Sequence, residues 1–375
     1  MNHYFVTGGT GVVGSALVPV LLERPDNEIW LLVRSSDRVS MDKRIDDLFL
    51  FWQLGDLEPG ARRRVHALRG DATMPQFGLQ PAEYQSLVVT ITHIVHAAGV
   101  VRMNLPIQDA RRSAVGSAQQ IIDLSWALQR AGRLRKVELV STVGVGGRLG
   151  VLAEEWIDTP RSFHNTYEQS KAEAEQLVRE QVELGLPVTV HRPSMVVGDS
   201  RSGRVVHFQI FYHLCEFLSG RRTRGLYPPL DRQTLDVVPA DYVARVIAWS
   251  SACAGLGRQI IHESSGPDGA LPLAELRERV RERLRRRGQR VPRVITLPAG
   301  LFTSVLAVAG RFLDERSRRA IATLPVFLDY LSSNQQFANA KTQALLVQQA
   351  AGIVLPPWQD YLDRVLDTYI DSRSA

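Results

Sequence analysis

Tyr167 and Lys171 stand four residues apart in Asn165-Thr166-Tyr167-Glu168-Gln169-Ser170-Lys171-Ala172-Glu173, a run rich in helix formers. On a helix this spacing places both side chains on one face. An ammonium beside a phenol favours the phenolate, so the expectation is a Tyr167 pKa drawn below its usual value of about 10. Such a phenol can donate a proton to an oxygen that turns negative during a reduction. Thr142 lies 25 residues earlier, at the expected C-terminal end of a strand. A hydroxyl there, opposite the Tyr-Lys helix, can donate to the same oxygen. The pair alone also fits an ordinary solvated helix face. The elements around it must decide.

Those elements begin with a short apolar strand over residues 3–7, followed by Thr7-Gly8-Gly9-Thr10-Gly11-Val12-Val13-Gly14 and a helix expected over 15–23. Gly8 suits a tight turn, Gly11 a close approach of backbone to a pyrophosphate, and Gly14 close packing of helix on strand. Thr10, Val12 and Val13 complete the loop, and the helix N-terminus offers free N–H groups and a positive dipole end to phosphates. The pattern predicts a dinucleotide site. A second strand over 28–33 ends at Arg34, twenty residues past Gly14. An acidic residue there holds a ribose 2′-hydroxyl, whereas an arginine suits a 2′-phosphate. Arg34, with Ser35 and Arg38 or Arg44 nearby, therefore predicts NADPH.

Asp71, after a strand over 65–69, suits either the adenine amino group or the cap of its own turn, and both readings stay open. A strand over 92–96 ends in Ala97-Ala98-Gly99, small enough to pass close to a cofactor's ribose and nicotinamide. A long helix is expected over most of 105–131 and a strand over 135–141, ending Ser141-Thr142.

With these residues in place the chain resembles an extended short-chain dehydrogenase/reductase. The matching positions are Gly8, Gly11 and Gly14, Ala97-Ala98-Gly99, Ser141-Thr142, Tyr167 with Lys171, and His191-Arg192-Pro193-Ser194. The resemblance implies that Pro193 and Ser194 close over the nicotinamide and that Lys171 also holds its ribose. Within that superfamily, Leu32-Val33-Arg34, Arg69-Gly70-Asp71-Ala72, His96 to Asn104 and Arg192 to Gly203 look like the thioester reductase and fatty acyl-CoA reductase branch, the male-sterility type. Asp236 to Val243, Phe337-Ala338-Asn339 and Gly352 to Leu362 fit the same branch. One departure is Ser113, which stands where the family often has Asn; it puts the helix geometry and any proton relay there in doubt.

The fold expected is α/β, a Rossmann-like doubly wound parallel sheet with a smaller, mostly helical C-terminal substrate domain. The cofactor domain is expected over 1–197 plus about 235–262, and the substrate domain over 198–234 plus 263–375. Gly198 to Arg204 reads as a mobile loop over the substrate mouth. Arg285-Arg286-Arg287 reads as the C-terminal end of a helix over 271–287, where cations complement the dipole, and less readily as a greeting surface for an acidic carrier protein. Residues 356–370 read as a closing amphipathic helix.

Two cysteines among 375 residues give neither a disulfide framework nor a metal site, which fits a reducing, cytoplasmic setting, and no secretion signal is read at the N-terminus. No apolar run reaches the length of a membrane span; the nearest, Leu297 to Leu313, is broken by Pro298, Gly300, Gly310 and Arg311. Net charge is +6, nearly all of it from arginine, which suits phosphorylated cofactors or acidic carriers, and no nucleic-acid module is present.

The resemblance implies NADPH-dependent reduction of an acyl thioester, on coenzyme A or an acyl carrier protein, to an aldehyde, with a second reduction to the alcohol left open. Thr142, Tyr167 and Lys171 would be the catalytic residues. The alternatives are an NADP-dependent ketone or alcohol oxidoreductase, a nucleotide-sugar epimerase, or a non-catalytic NADP sensor; both monomer and homodimer stay open.

Overall fold

Along β1 (Asn2–Thr7) successive side chains alternate, Tyr4 and Val6 to one side and Phe5 to the other. All three are fully buried, so this strand is covered on both faces, as a parallel sheet requires. The structure, a computed structural model, describes residues 1–53, 60–230, 232–253, 255–298, 300–302, 304 and 335–373.

The other strands of the central sheet are β2 (Asn27–Val33), β3 (Val65–Arg69), β4 (His93–His96), β5 (Lys136–Val140), β6 (Val188–Pro193) and, after a shorter β7 (Met195–Val197) and β8 (Val237–Pro239), β9 (Ile260–Glu263). Seven strands run parallel in the order β9-β6-β5-β4-β1-β2-β3. The strand order reverses between β1 and β4, and the crevice at their C-terminal ends is where such sheets hold ligands. β7 and β8 form a separate parallel pair.

Helices cover both faces. One layer holds α1 (Val12–Leu22), α2 (Arg38–Trp52) and α8 (Ala240–Ala252), which pack Leu17, Ile45 and Val246 against Val6, Ile29 and Ile261. The other holds α3 (Pro81–Thr90), α4 (Ile107–Arg111), α5 (Ser117–Arg130) and α6 (Thr166–Glu183), with Leu87, Ile121 and Val178 against Phe5, Ile94 and Val190. A third apolar cluster lies outside both layers. It joins α7 (Ile210–Leu218), α9 (Leu273–Arg286) and α11 (Trp358–Ser372) through residues such as Phe211, Leu276 and Leu366. The remaining helix, α10 (Ala340–Gln348), meets β9 through Thr342, whose hydroxyl accepts from the His262 N–H at 3.0 Å.

The Rossmann-like sheet and the helical C-terminal part agree with the expected fold class. Some elements differ from the sequence reading. The helix over 105–131 is broken by a π-turn at Arg112–Gly116, which contains the departing Ser113. The stretch Gly198 to Arg204 is fastened: Asp241 accepts from the backbone and hydroxyl of Ser200, each at 2.7 Å, and Gly203 packs against the Arg364 backbone. None of 198–204 lines the central cavity described below. Most of the apolar run 297–313 lies outside the described residues. Among those that are described, no helix is long and apolar enough to cross a membrane.

Arg279, Arg283 and Arg287 on and just beyond α9 pair with Asp363, Asp367 and Asp371 on α11, a ladder repeating every four residues. Arg286 pairs with Glu282 one turn back. The arginine run is thus largely engaged in holding its own helix and its neighbour. Two successive residues of β6 carry buried ion pairs to opposite faces. His191 lies between Glu263 (2.5 Å) and Glu138 (2.8 Å), while Arg192 grips Glu175 of α6 at 2.7 Å.

Candidate active site

The turn after β1 has no room for side chains. Gly8 has φ +74°, and a Cβ there would fall 2.4 Å from the Ala97 carbonyl carbon; a Cβ on Gly14 would fall 2.3 Å from the Gly8 oxygen. At Gly11 the nearest obstacle is the Gly8 oxygen at 3.2 Å. Gly11 is the N-cap of α1 and supplies no capping side chain, so the first N–H groups of the helix remain available to an anion. These features fit a dinucleotide pyrophosphate.

From this turn the crevice runs two ways. Towards β2 and β3 it is lined by Thr7, Gly8, Thr10, Arg34, Arg44, Asp71, Ala98 and Ser113. The Arg34 guanidinium lies 4.0 Å from the Asp71 carboxylate, is largely exposed, and its backbone oxygen accepts from Arg44 at 2.8 Å. Asp71 caps its own turn through Oδ1, which accepts from the Thr73 amide (2.9 Å) and hydroxyl (2.8 Å). Its Oδ2 faces Arg34, so the capping reading holds and the crevice-facing one stays available.

Towards β5 and β6 the crevice opens into a cavity of about 170 Å³ lined by Val12, Val13, Thr142, Tyr167, Lys171, Pro193 and Ser194. Gly11, Ala97 and Gly99 line both parts, which makes one continuous track. Of the sixteen residues singled out from the sequence, Gly14 alone lies off it; it packs helix against turn.

The catalytic candidates are placed by local order. Thr142 ends the β5 segment, and its Oγ1 accepts from the Gly144 amide at 3.1 Å. It also lies within hydrogen-bonding reach of the Tyr167 hydroxyl. Asn165 caps α6 by accepting from the Glu168 amide at 3.0 Å, and Glu168 reaches back to the His164 amide at 3.0 Å. This reciprocal cap fixes the first turn, and with it Tyr167.

Lys171 is buried and donates to the Val140 carbonyl at 2.9 Å. Its Nζ would lie 3.6 Å from a Cβ at position 99, so Gly99 keeps the space beside the ammonium open. Burial lowers the Lys171 pKa to about 8 against the pull of Glu175.

The expected depression of the Tyr167 pKa is not found. Burial pushes the phenol up to about 12, the Thr142 hydrogen bond opposes this in part, and Glu168 adds to it. Desolvation outweighs any help from Lys171, whose ammonium is spent on a backbone carbonyl. Tyr167 is therefore a firmly protonated donor.

Beneath the cofactor track runs a buried chain of hydrogen bonds. Thr7 Oγ1 meets His96 Nδ1 at 2.7 Å, His96 Nε2 meets Ser117 Oγ at 3.1 Å, and the Ser117 hydroxyl donates to the Ser113 carbonyl at 2.5 Å. Burial, with Lys171 nearby, lowers the His96 pKa to about 3, so the ring is neutral. Ser113 Oγ accepts from the Val100 amide at 3.2 Å and so holds the loop after Gly99. The sequence reading gave no site role to His96, Ser117, Glu168, Val101, Met103, Met195, Gln209 or Ile210. The last six line the cavity.

Comparison with known proteins agrees with this geometry. The pattern of the male sterility protein family, an NAD-binding domain, matches residues 6–247. Glycine betaine reductase of Emericella nidulans is 30% identical over 268 residues, 68% of this chain and 20% of its own length. A putative fatty acyl-CoA reductase of Drosophila melanogaster is 26% identical over 73% of this chain and 57% of its own length. This chain thus spans only part of either relative. The crystal structure of the terminal R domain from the myxalamid PKS-NRPS biosynthetic pathway superposes with a TM-score of 0.80 at 26% identity, covering 100% of this chain and 92% of that one. The chain belongs to the male sterility protein family of NAD(P)-binding, Rossmann-like oxidoreductases.

Proposed function

We propose that the chain is an NADPH-dependent reductase that converts an acyl thioester, on coenzyme A or an acyl carrier protein, to an aldehyde. The observation that carries this reading is the meeting of Thr142, Tyr167 and Lys171 in one cavity continuous with the Arg34 crevice. NADPH, when bound, supplies the hydride. Arg34 and Arg44 would face its 2′-phosphate, Asp71 its adenine end, and Lys171 its nicotinamide ribose.

Thr142 and Tyr167 would hold the thioester oxygen between two hydroxyl donors, which stabilises negative charge as it develops. Tyr167 gives up the proton. A phenol held at about pKa 12 stays protonated in neutral solution, as the reducing direction needs. Lys171 keeps positive charge near that oxygen. Collapse of the resulting hemithioacetal breaks the carbon–sulfur bond and frees thiol and aldehyde. The preference for a thioester over a ketone draws on the reductase relatives, because fold alone fixes no chemistry.

The same reading divides the chain into a cofactor domain, 1–197 with about 235–262, and a substrate domain, 198–234 with 263–375. The apolar cluster of α7, α9 and α11 supports this division, with Val197 and Val237 joining it from the cofactor domain and Leu346 of α10 packing with the cofactor-domain core. Two free cysteines, one of them buried, suit a reducing cytoplasm.

The test is NADPH oxidation at about 340 nm with acyl-CoAs, and with aldehydes and ketones as controls. Thioester-dependent turnover that Tyr167→Phe abolishes is the expected result. Turnover of ketones alone would sink the thioester reading.

A further inference from the structure

The reading above leaves the acyl group open, and the walls of the cavity bear on it. Beyond the residues assigned to the cofactor and to catalysis, the lining is chiefly Val101, Met103, Val143, Met195 and Ile210. Val101 is 44% exposed and so stands at the rim of the cavity. Methionines at two wall positions add flexible, polarisable surface that moulds to unbranched chains.

Besides the Tyr167 phenol, two ionisable side chains line the same cavity, Lys171 and Glu168, and both are turned to protein partners. Lys171 donates to the Val140 carbonyl at 2.9 Å. Glu168 accepts from the His164 amide at 3.0 Å through one oxygen and from the Asn165 side-chain amide at 3.1 Å through the other. Both Glu168 oxygens are thus already engaged, and burial raises its pKa. A charged acyl group would therefore lose its hydration with no free partner of opposite sign among the described lining residues.

We propose that the acyl group accepted here is an uncharged aliphatic chain, seated against Met103, Met195 and Ile210 and leaving past Val101, and not an aminoacyl or dicarboxylic acyl group. This rests on the thioester reading and narrows it.

The experiment compares kcat/KM for S-butyryl, S-hexanoyl, S-octanoyl, S-glycyl and S-succinyl pantetheine with NADPH. Expected is a rise of about fourfold for each methylene seated on the wall, with both charged acyl groups at least about tenfold below butyryl, the uncharged control of succinyl's length. Ile210→Glu should raise KM for the octanoyl thioester by about tenfold or more with kcat little changed, because the wall binds ground state and transition state alike. A melting temperature close to wild type shows that this variant is folded. Glycyl or succinyl thioesters turned over as well as butyryl would overturn the proposal while leaving thioester reduction standing. Reduction of ketones or aldehydes with no thioester turned over would overturn both.

Discussion

The Lys171 ammonium is bonded to the Val140 carbonyl at 2.9 Å, on the strand that delivers Thr142 two residues later. The strand end and the catalytic helix are thereby tied at the point where their hydroxyls meet. Burial has brought the Lys171 pKa down to about 8, while the Tyr167 proton is held to about 12. The group that limits the alkaline side is therefore the lysine. In free enzyme its charge is present below about pH 8 and lost as pH rises through that value. A plot of log kcat/KM against pH should break downward near 8 in wild type, and Lys171→Met should lie low with no break there. A break near 10 or above would mean that the ammonium is not needed.

Removing the phenol hydroxyl takes away the proton donor but leaves the ring. Tyr167→Phe should lower kcat by about 10²- to 10⁴-fold with NADPH affinity nearly unchanged. Thr142→Ala should cost about 10²-fold in kcat. Fluorescence titration of NADPH alongside single-turnover rates separates the two effects. A fall in cofactor affinity that accounts for the whole loss would place Tyr167 in binding and not in proton transfer.

At the other end of the track, Arg34 stands exposed within 4.0 Å of Asp71. If it reads the 2′-phosphate, Arg34→Ala should raise the KM for NADPH by about ten- to a hundredfold, the worth of a charge-assisted hydrogen bond. The KM for NADH should barely move. An unchanged ratio between the two cofactors would pass the role to Arg44 or deny NADPH preference altogether.

His191 offers a test of the core. Burial works against its charge, but Glu263 and Glu138 on either side raise its pKa to about 9 from an unfolded value near 6.5. The folded protein binds the proton more tightly, so this contribution to stability is present in full below about pH 6.5 and is lost as pH rises through about 9. Denaturation in urea should show the stability gap between wild type and His191→Gln narrowing from pH 6.5 to 8; Lys171 titrates alike in both proteins and drops out of the difference. A gap that widens would reverse the assignment.

What was legible in the sequence was what local geometry alone dictates. Gly8, Gly11 and Gly14 answer steric demands set within one turn, and Tyr167 with Lys171 follows from helical spacing. Thr142 and Arg34 were legible because each sits at the end of a strand whose direction the pattern fixes. The Tyr167 pKa was misread because its main cause is burial, which spacing does not report. Met103, Met195 and Ile210 went unassigned for a related reason: they come from a loop, a short strand and a helix start that only the tertiary fold brings to one wall. The π-turn at Arg112–Gly116 had one visible sign, Ser113 in place of the usual Asn.

The grip of Arg192 on Glu175 has a consequence for motion. A fully buried guanidinium and carboxylate cannot part without exposing two charges to a dry interior. The helix that bears Tyr167 and Lys171 is thus riveted to β6 at its middle, and it should exchange its amide hydrogens only when the whole sheet opens. Any flexing that would admit the proposed acyl chain then falls to the rim at Val101 and the start of α7. Amides at 100–104 and 208–212 should exchange orders of magnitude sooner than those at 172–178.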